Sequence, residues 1–430
     1  MKNLKSAVPA LYVLLLVFLS GLSTAVLLLS LFRGKSPALI TSDGKSYYAW
    51  ARSVVVDGDI CFDNDFRVLY PPDPLPPEMN ERTPAGYVPN KCSTGMALLE
   101  TPGLAAAHAA AICLPGLEAD GISAPYQLAV AFSLAALYIF SLHLLYRAMI
   151  CFGAARSWAL VFSGAMFLGT NLVHYAAKEP AMTHGAGVAL FSITLFFISP
   201  RHGADRRISP RSIWMAGILL GLLFLVRNAN ILMFLPVTAL VWYQHRTPGR
   251  SLLRFIPAFL AVAVIQPAAI YLLWGEFRLT GYAGEGCTSG FGGMVKTLFS
   301  SRHGLFVYHP WYIFLVVTVA CAVFVKKLRV PALAVLAHFT LLTAGNGSWW
   351  CWWFGDGFGN RAFIETLPGL SVVSALLFTS EGRRRAAIIA GSCVLAVCLL
   401  NLYLWAGYLL HRYPHDGNHT VAEVYFWPLK

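Results

Sequence analysis

Acidic side chains are concentrated in one stretch of this chain. Eight of its 20 carboxylates lie between Asp43 and Glu81, in a sequence that is 57% hydrophobic and only 12% charged. A carboxylate that is held at a bilayer surface and partly dehydrated can take a proton from a hydroxyl group. Asp43, which follows the first long apolar segment, is therefore the first candidate for a catalytic base.

Each acidic motif also has a structural interpretation. Ser42 or Asp43 is a typical N-cap for an amphipathic helix that runs on through Tyr47. The motifs at 57–59 (Asp-Gly-Asp) and 63–65 (Asp-Asn-Asp) offer oxygen ligands for a divalent cation. They lack the spacing of an EF-hand and suit a solvated turn equally well, so the residues alone leave these alternatives open.

Uncharged runs long enough to cross a hydrocarbon core about 30 Å thick recur along the chain. They cover residues 7–32, 125–146, 157–177, 180–200, 255–275, 304–325 and 386–410. The first is longer than the apolar part of a signal peptide and has no evident cleavage site, so we expect an uncleaved anchor. The net charge of +12 does not indicate nucleic-acid binding, because the basic residues form short clusters between the apolar runs.

The basic clusters predict the orientation of the chain in the membrane. The positive-inside rule places in the cytoplasm the clusters at residues 2–5, 147–156, 201–211, 246–254, 326–329 and 383–385. Two further runs, 331–347 and 362–380, and two short helices in 212–245 complete a count of about 11 transmembrane helices. The N-terminus is then cytoplasmic, and nearly all carboxylates lie in the outer segments 33–124, 178–184, 276–303, 348–361 and 411–430.

Two segments shape the predicted domain organisation. Residues 95–115 are apolar, but one more crossing there would invert every later cluster, so we predict a re-entrant or interfacial helix within the large first outer loop. Residues 212–245 carry Arg227 at their middle, where an arginine is costly unless it faces a cavity or a partner. The predicted fold is an all-α polytopic membrane domain over 1–410, followed by a short outer tail over 411–430.

Two cysteines share the first outer loop. Cys61 and Cys92 are among nine cysteines, and an oxidising compartment would permit a disulfide between them. Their spacing does not establish the bond. The sequence contains no Cys/His framework typical of a metal site.

Polar groups at other predicted helix ends are further candidates for ligand contacts. Lys91 precedes the predicted re-entrant helix, where a cation opposes the helix dipole and suits either a lipid phosphate or ordinary snorkelling. Four tryptophans within 349–353 are followed by a Gly-rich turn and Arg361. This combination suits a sugar and a phosphate, although tryptophans also form interfacial belts. Other polar residues at predicted outer turns are Glu179, His184 and Arg302.

Taken in order, these motifs resemble those of the GT-C glycosyltransferases. This polytopic class includes protein O-mannosyltransferases and lipid A aminoarabinose transferases. The matching stretches are 43–59 (D-x3-YY-x2-AR-x5-GD), Lys91 with its small-residue helix, Glu179-Pro180 with His184, 225–227 (LVR), 301–306 (SRHGLF) and 353–368 (WFGDGFGNRAFIETLP). They are spread over residues 7–380 in the order of the family.

The resemblance implies an inverting transferase that takes a sugar from a polyprenyl phosphate on the outer face, with Asp43 as the base. It also implies that the donor phosphate and sugar are bound by Lys91, Arg227, Arg361, Tyr47, Tyr48, Glu179, His184, Arg302 and Trp353. Many relatives carry a second acid directly after the first. Here Gly44 follows, so any role of that second acid would move to Asp59. Asp59 is also the candidate metal ligand of the acidic motif at 57–59.

The resemblance further implies a multi-pass protein of the bacterial inner membrane. Its partners would be the polyprenyl-phosphate sugar, membrane lipids and an acceptor that is a glycan, a lipid or a protein. No cofactor is required by the motifs, and a divalent cation stays open. The alternative function is a transporter or flippase for lipid-linked glycans, which Arg227 and broken helices would suit. Against it, the sequence shows no repeated half with matching broken helices.

Overall fold

A computed structural model describes most of the chain as helix. The described residues are 12, 16–26, 28, 39–70, 77–200, 208–245, 248–278, 280–282, 285–288, 290–378 and 384–427. Within them no strand forms, apart from one isolated antiparallel bridge between Cys287 and Trp349. The prediction of an all-α fold is confirmed. The basic cluster at 2–5 and most of the one at 201–211 lie outside the described residues.

The helices follow the apolar runs of the sequence. In chain order they are α1 (Leu16–Val26), α2 (Gly44–Arg52), α3 (Asp63–Leu69), α4 (Gly95–Cys113), α5 (Ala124–Phe152), α6 (Arg156–Leu168), α7 (Leu172–Ala177), α8 (Thr183–Ile198), α9 (Pro210–Val226), α10 (Phe234–His245), α11 (Pro248–Ala263), α12 (Ile265–Trp274), α13 (Gly290–Phe299), α14 (Leu305–Tyr308), α15 (Trp311–Ala322), α16 (Arg329–Ser348), α17 (Leu367–Leu377), α18 (Arg384–Leu409) and α19 (Val421–Tyr425). Tight 3-10 segments at Asn228–Met233 and Arg361–Thr366 precede α10 and α17.

Several helices have the length and composition of membrane spans. Within the described ranges, five are long and apolar enough to cross a bilayer: α4, α5, Leu253–Trp274, α16 and Gly391–Leu409. Shorter apolar helices are α1, α8, α9 and α15. The polytopic arrangement is therefore confirmed, whereas the count of about 11 crossings stays a prediction.

The segment predicted to be re-entrant forms one continuous helix, α4. It packs along α5 and α2, and Glu100 on it is fully buried. Its 19 residues are also long enough to cross a bilayer. The helix itself is confirmed, and its re-entrant position stays a prediction.

The break predicted around Arg227 is present and shapes the site. α9 ends at Val226, Arg227 is extended with φ −158° and ψ 123°, and a 3-10 segment leads into α10. α4 begins directly against this break, because a Cβ atom on Gly95 would lie 2.3 Å from the carbonyl carbon of Leu225. Only glycine permits this approach, which brings the segment before α4 close to Arg227.

A second break, between α6 and α7, divides the run predicted at 157–177. The carbonyl groups of Leu168 and Thr170 lie where the helix is interrupted, and both accept hydrogen bonds from the amide of Asn401 on α18, at 2.8 and 2.9 Å. Broken helices at membrane depth need such partners for their freed backbone groups. The bonds fix the start of α7, which carries His174 and leads to Glu179.

Candidate active site

All five predicted outer segments contact one another in the structure. The contacts are Asp43 with Arg361, Thr41 with Glu179, Lys91 with Glu285, Trp350 with Glu285, and Arg302 with the backbone of Asp416. These contacts connect the loops into a single polar cluster.

Asp43 lies directly before α2 and binds an arginine instead of capping the helix. Its side chain makes no capping hydrogen bond. Its Oδ2 atom accepts a hydrogen bond of 2.8 Å from Nη2 of Arg361. Ser42 precedes it with φ +50°, a left-handed conformation that is uncommon for a residue other than glycine. The Asp43 side chain is 49% exposed, so it is oriented by Arg361 and remains accessible.

Arg361 begins the 3-10 segment that leads into α17. Its side chain is 12% exposed, and besides Asp43 it contacts the carbonyl oxygen of Asp356 at 3.5 Å. Burial alone would lower the pKa of the guanidinium. The neighbouring Asp43, Tyr175 and Glu179 outweigh burial, so that the pKa of Arg361 is raised above its usual value. Arg361 is thus a fixed cation between two acids that are far apart in the sequence.

Glu179, in the short turn between α7 and α8, is the second acid beside Arg361. One oxygen accepts a long hydrogen bond of 3.4 Å from the hydroxyl of Thr41, and the other lies 3.6 Å from Nε2 of His174. Burial acts to raise the pKa of Glu179, but His174 and the charges of Arg361 and Lys178 outweigh it and lower the pKa to about 2. Glu179 is therefore ionised at neutral pH.

Arg227 occupies the helix break and is tied to the same 3-10 segment. Its Nη1 atom donates to the carbonyl oxygen of Ala362 at 3.2 Å and lies 3.5 Å from Oε1 of Glu365. Nδ1 of His184 is 3.0 Å from the same Glu365 oxygen. Arg227 also contacts Asn346 at 3.4 Å. The cost predicted for an arginine at this depth is offset by these partners, and its side chain is still 20% exposed.

Lys91 forms a third cationic group in this polar cluster. Its Nζ atom is 2.7 Å from Oε1 of Glu285, whose other oxygen accepts from the indole of Trp350 at 3.0 Å. The ammonium also lies 5.8 Å from the ring centre of Tyr282. Burial raises the pKa of the Tyr282 hydroxyl, and the charges that act on it include Asp43, Arg227 and Glu285. Tyr282 is therefore close enough to Asp43, Arg227 and Glu285 to interact with their charges.

The other predicted site residues contact either their own loop or a neighbouring one. Tyr47 is buried near Asp43 and Arg361, whereas the hydroxyl of Tyr48 donates to the carbonyl oxygen of Gly121 at 2.5 Å. The guanidinium of Arg302 stacks on Trp353 at 3.8 Å. These contacts give Tyr48 a structural role, and they pair Arg302 and Trp353 with each other.

The acidic motifs of the first loop are organised around Arg52. This buried arginine binds Asp57 at 2.5 Å and Asp65 at 2.8 Å, an arrangement that the sequence reasoning missed. Asp59 accepts hydrogen bonds from the hydroxyl of Ser53 and the backbone of Cys61. No group of three or more His, Cys, Asp or Glu side chains that could hold a metal ion occurs in the described part of the chain. The metal role of Asp59 stays a prediction.

The disulfide that the sequence left open is not formed. Cys61 and Cys92 are both free thiols, and Cys92 is buried. The carbonyl oxygen of Cys92 accepts from the indole of Trp50 at 3.0 Å. This hydrogen bond, rather than a covalent link, connects the segment before α4 to α2.

Four residues of the site were not predicted: His174, Tyr282, Glu285 and Glu365. Glu365 lies inside the quoted stretch 353–368, four positions after Arg361, a spacing that places both on one short segment. Glu285 was detectable as an acid in a predicted outer loop. His174 lies in an apolar run, and nothing in the sequence marks its partner.

Comparison with known proteins shows a likeness of fold without a likeness of sequence. No protein-family model matches the chain, and no curated protein matches it. The crystal structure of ArnT from Cupriavidus metallidurans in the apo state aligns with a TM-score of 0.50 and 14% identity, covering 93% of this chain and 66% of that one. The structure of the same protein bound to undecaprenyl phosphate aligns with a TM-score of 0.46, 13% identity and the same coverage.

The alignment with the apo structure confirms the predicted GT-C type of polytopic fold. The chain spans about two thirds of the length of ArnT. Chemically, the site that this fold positions combines an accessible carboxylate, a buried arginine beside it and two further cations. That set can deprotonate a hydroxyl group and neutralise a phosphate.

Proposed function

We propose that the chain is a membrane glycosyltransferase that moves a sugar from a polyprenyl-phosphate donor to an acceptor hydroxyl on the outer face of the inner membrane. The observation that carries the proposal is the ion pair of 2.8 Å between Asp43 and Arg361, within a fold of the GT-C type. It puts a candidate base for the acceptor beside a candidate cation for the donor phosphate.

Asp43 acts as the general base in this mechanism. Its Oδ2 atom is bound to Arg361. The other oxygen of this half-exposed side chain can accept a hydrogen bond from the hydroxyl group of the acceptor substrate. The acceptor oxygen attacks the sugar C1 atom from the face opposite the phosphate and its proton passes to Asp43. The bond between C1 and the phosphate oxygen breaks, so the configuration at C1 is inverted. Positioned general bases of this kind contribute roughly 10²–10⁴-fold to rate.

Three cations stabilise the polyprenyl phosphate as it leaves. Arg227 is bound to the segment Arg361–Thr366 that Arg361 begins, and the Lys91 ammonium lies 5.8 Å from the ring centre of Tyr282. Charge develops on the phosphate oxygen in the transition state, where preorganised donors act most strongly. Arg361 suits this task best, because its planar fork can bind two phosphate oxygens at once.

The alternative function, a flippase for lipid-linked glycans, is favoured by one observation. Arg227 lies at a helix break, a feature of transporter binding sites. The break is however bonded to Glu365, Ala362 and Asn346, and these contacts bind it into the same cluster as Arg361. A transferase accounts for both features, whereas transport leaves the Asp43–Arg361 pair without a role.

Transfer of a labelled sugar by the purified protein in detergent tests the proposal. The donor is a panel of polyprenyl-phosphate sugars, and the readout is release of polyprenyl phosphate together with a labelled acceptor. Detergent removes the two compartments that transport requires, so activity there supports the transferase. Movement of the glycan lipid in vesicles, with no transfer from any donor in detergent, would support the flippase.

A further inference from the structure

A histidine and a tryptophan that the proposed mechanism does not use lie directly behind the site. His174 of α7 is 1% exposed and Trp405 of α18 is 4% exposed. The indole Nε1–H of Trp405 donates to Nδ1 of His174 at 3.1 Å. Because an indole nitrogen is a donor only, Nδ1 must be the acceptor, and the neutral ring carries its proton on Nε2.

The protonated nitrogen of His174 faces Glu179. Nε2 lies 3.6 Å from Oε2 of Glu179, and no hydrogen-bond partner satisfies it within the described residues. The other oxygen of Glu179 accepts from Thr41, two positions before Asp43. Between them lies Ser42, whose left-handed backbone must be held in place by its surroundings.

We propose that His174 is a positioning residue for the reaction, fixed in one tautomer by Trp405 and orienting Glu179. Glu179 in turn holds the Thr41–Ser42 turn in the conformation that presents Asp43. The proposal rests on the proposed function, since it assumes that Asp43 is the base. α18 therefore supports the site twice, through Trp405 and through Asn401, which fixes the start of α7.

Two substitutions of His174 separate its two nitrogens. In His174→Asn the side-chain oxygen can replace Nδ1 as the acceptor for Trp405, but nothing reaches Glu179. In His174→Gln the longer amide can donate to Glu179. We expect kcat to fall about tenfold in the Asn variant, with the KM for the donor unchanged within about twofold, because a small displacement of a catalytic group costs rate before binding.

The Gln variant should retain at least about a third of the wild-type kcat. A role in packing alone would also favour Gln over Asn, because glutamine is closer to histidine in volume. His174→Met separates the two explanations, since methionine is similar to glutamine in size but cannot donate a hydrogen bond. The proposal predicts a kcat in the Met variant as low as in the Asn variant, and equal kcat in the Met and Gln variants would overturn it. Equal kcat in the Asn and Gln variants, or a loss in the Asn variant that appears entirely in KM, would also overturn it.

Trp405→Phe removes the donor that fixes the tautomer, and Trp311→Phe is its matched control. Trp311 is 1% exposed, and its indole N–H has no partner in the part of the chain that the structure describes. Both variants lose packing volume, but only the first releases His174. We expect kcat at least about threefold lower in Trp405→Phe than in Trp311→Phe; the reverse order would contradict the proposal.

A double-mutant cycle between Trp405→Phe and Glu179→Gln tests the contacts from Trp405 through His174 to Glu179 without an activity measurement. If Trp405 acts on Glu179 through His174, Glu179→Gln should lower the thermal unfolding temperature less in the Trp405→Phe variant than in the wild type. Additive shifts would overturn the proposed connection. If the wild-type protein transfers no sugar, the proposed function fails, and the cycle still decides whether this connection exists.

Discussion

Arg361 and Asp43 are separated by 318 positions in the sequence and form an ion pair of 2.8 Å. The arginine is largely buried and the aspartate is half exposed. The pair therefore joins the loop after α1 to the segment before α17, and it orients the carboxylate of Asp43 while the side chain stays accessible. The proposed chemistry depends on this arrangement.

Replacement of Arg361 should distinguish its charge from its shape. We expect Arg361→Ala to lower kcat/KM for the donor by roughly 10²-fold and Arg361→Lys by about tenfold, because lysine keeps the charge but loses the planar fork. Initial rates at varied donor concentration measure both values. Arg278→Ala is the matched control, since Arg278 pairs with Glu276 in an exposed position. Wild-type rates in both Arg361 variants would remove this residue from the site.

Glu285 should compete with the donor phosphate for Lys91. Its carboxylate is 2.7 Å from the Lys91 ammonium, and a phosphate that uses Lys91 must displace it. We expect Glu285→Gln to lower the KM for the donor by roughly two- to fivefold, because an ion pair this exposed is worth up to about 1 kcal/mol. Glu276→Gln, which removes another loop carboxylate, should leave KM unchanged. A higher KM in Glu285→Gln would show that Glu285 assists binding.

Glu179 should stabilise the folded protein in a defined pH range. Its pKa falls from 4.5 to about 2 on folding, so its contribution is complete above pH 4.5 and is lost as the pH falls towards 2. We expect Glu179→Gln to unfold roughly 2–4 °C below the wild type at pH 7, and this difference to shrink between pH 4.5 and 3. Thermal unfolding in detergent measures it. A difference that is constant with pH would contradict the assigned ionisation.

The membrane position of α4 can be tested by reporter fusions. If α4 crossed the membrane, every later basic cluster would lie outside, against the positive-inside rule. We therefore predict that α4 does not cross and that Pro115 and Ala124 both lie outside. A fusion at Gly153, after α5, should report the cytoplasm and serves as the control. A cytoplasmic signal at Pro115 or Ala124 would mean that α4 crosses the membrane, and the orientation of every later helix would then change.

The sequence predicted the helices well because a membrane span requires a long run of apolar residues, which can be recognised from the local sequence. It also predicted the break at Arg227, since a charge in an apolar run needs a polar partner. It did not predict how the first-loop acids are used. Arg52 forms ion pairs with Asp57 and Asp65. Which arginine pairs with a given acid depends on tertiary packing.

The candidate site was only partly predictable for the same reason. Asp43, Lys91, Arg227 and Arg361 could be named from their positions at helix ends. The pairing of Lys91 with Glu285 and of Arg227 with Glu365 joins segments more than a hundred positions apart. His174 could not be named at all, because its role depends on an indole 231 positions away.

The central claim, that Asp43 is the base, is tested most directly by Asp43→Asn in the purified protein. Asparagine keeps the size of the side chain and can still precede α2, so thermal unfolding and donor binding should be close to those of the wild type. We predict that transfer of labelled sugar falls by roughly 10²–10⁴-fold, the range expected for loss of a general base. Transfer within about threefold of wild type would contradict the account, and the base would have to be sought at Glu179 or Asp59.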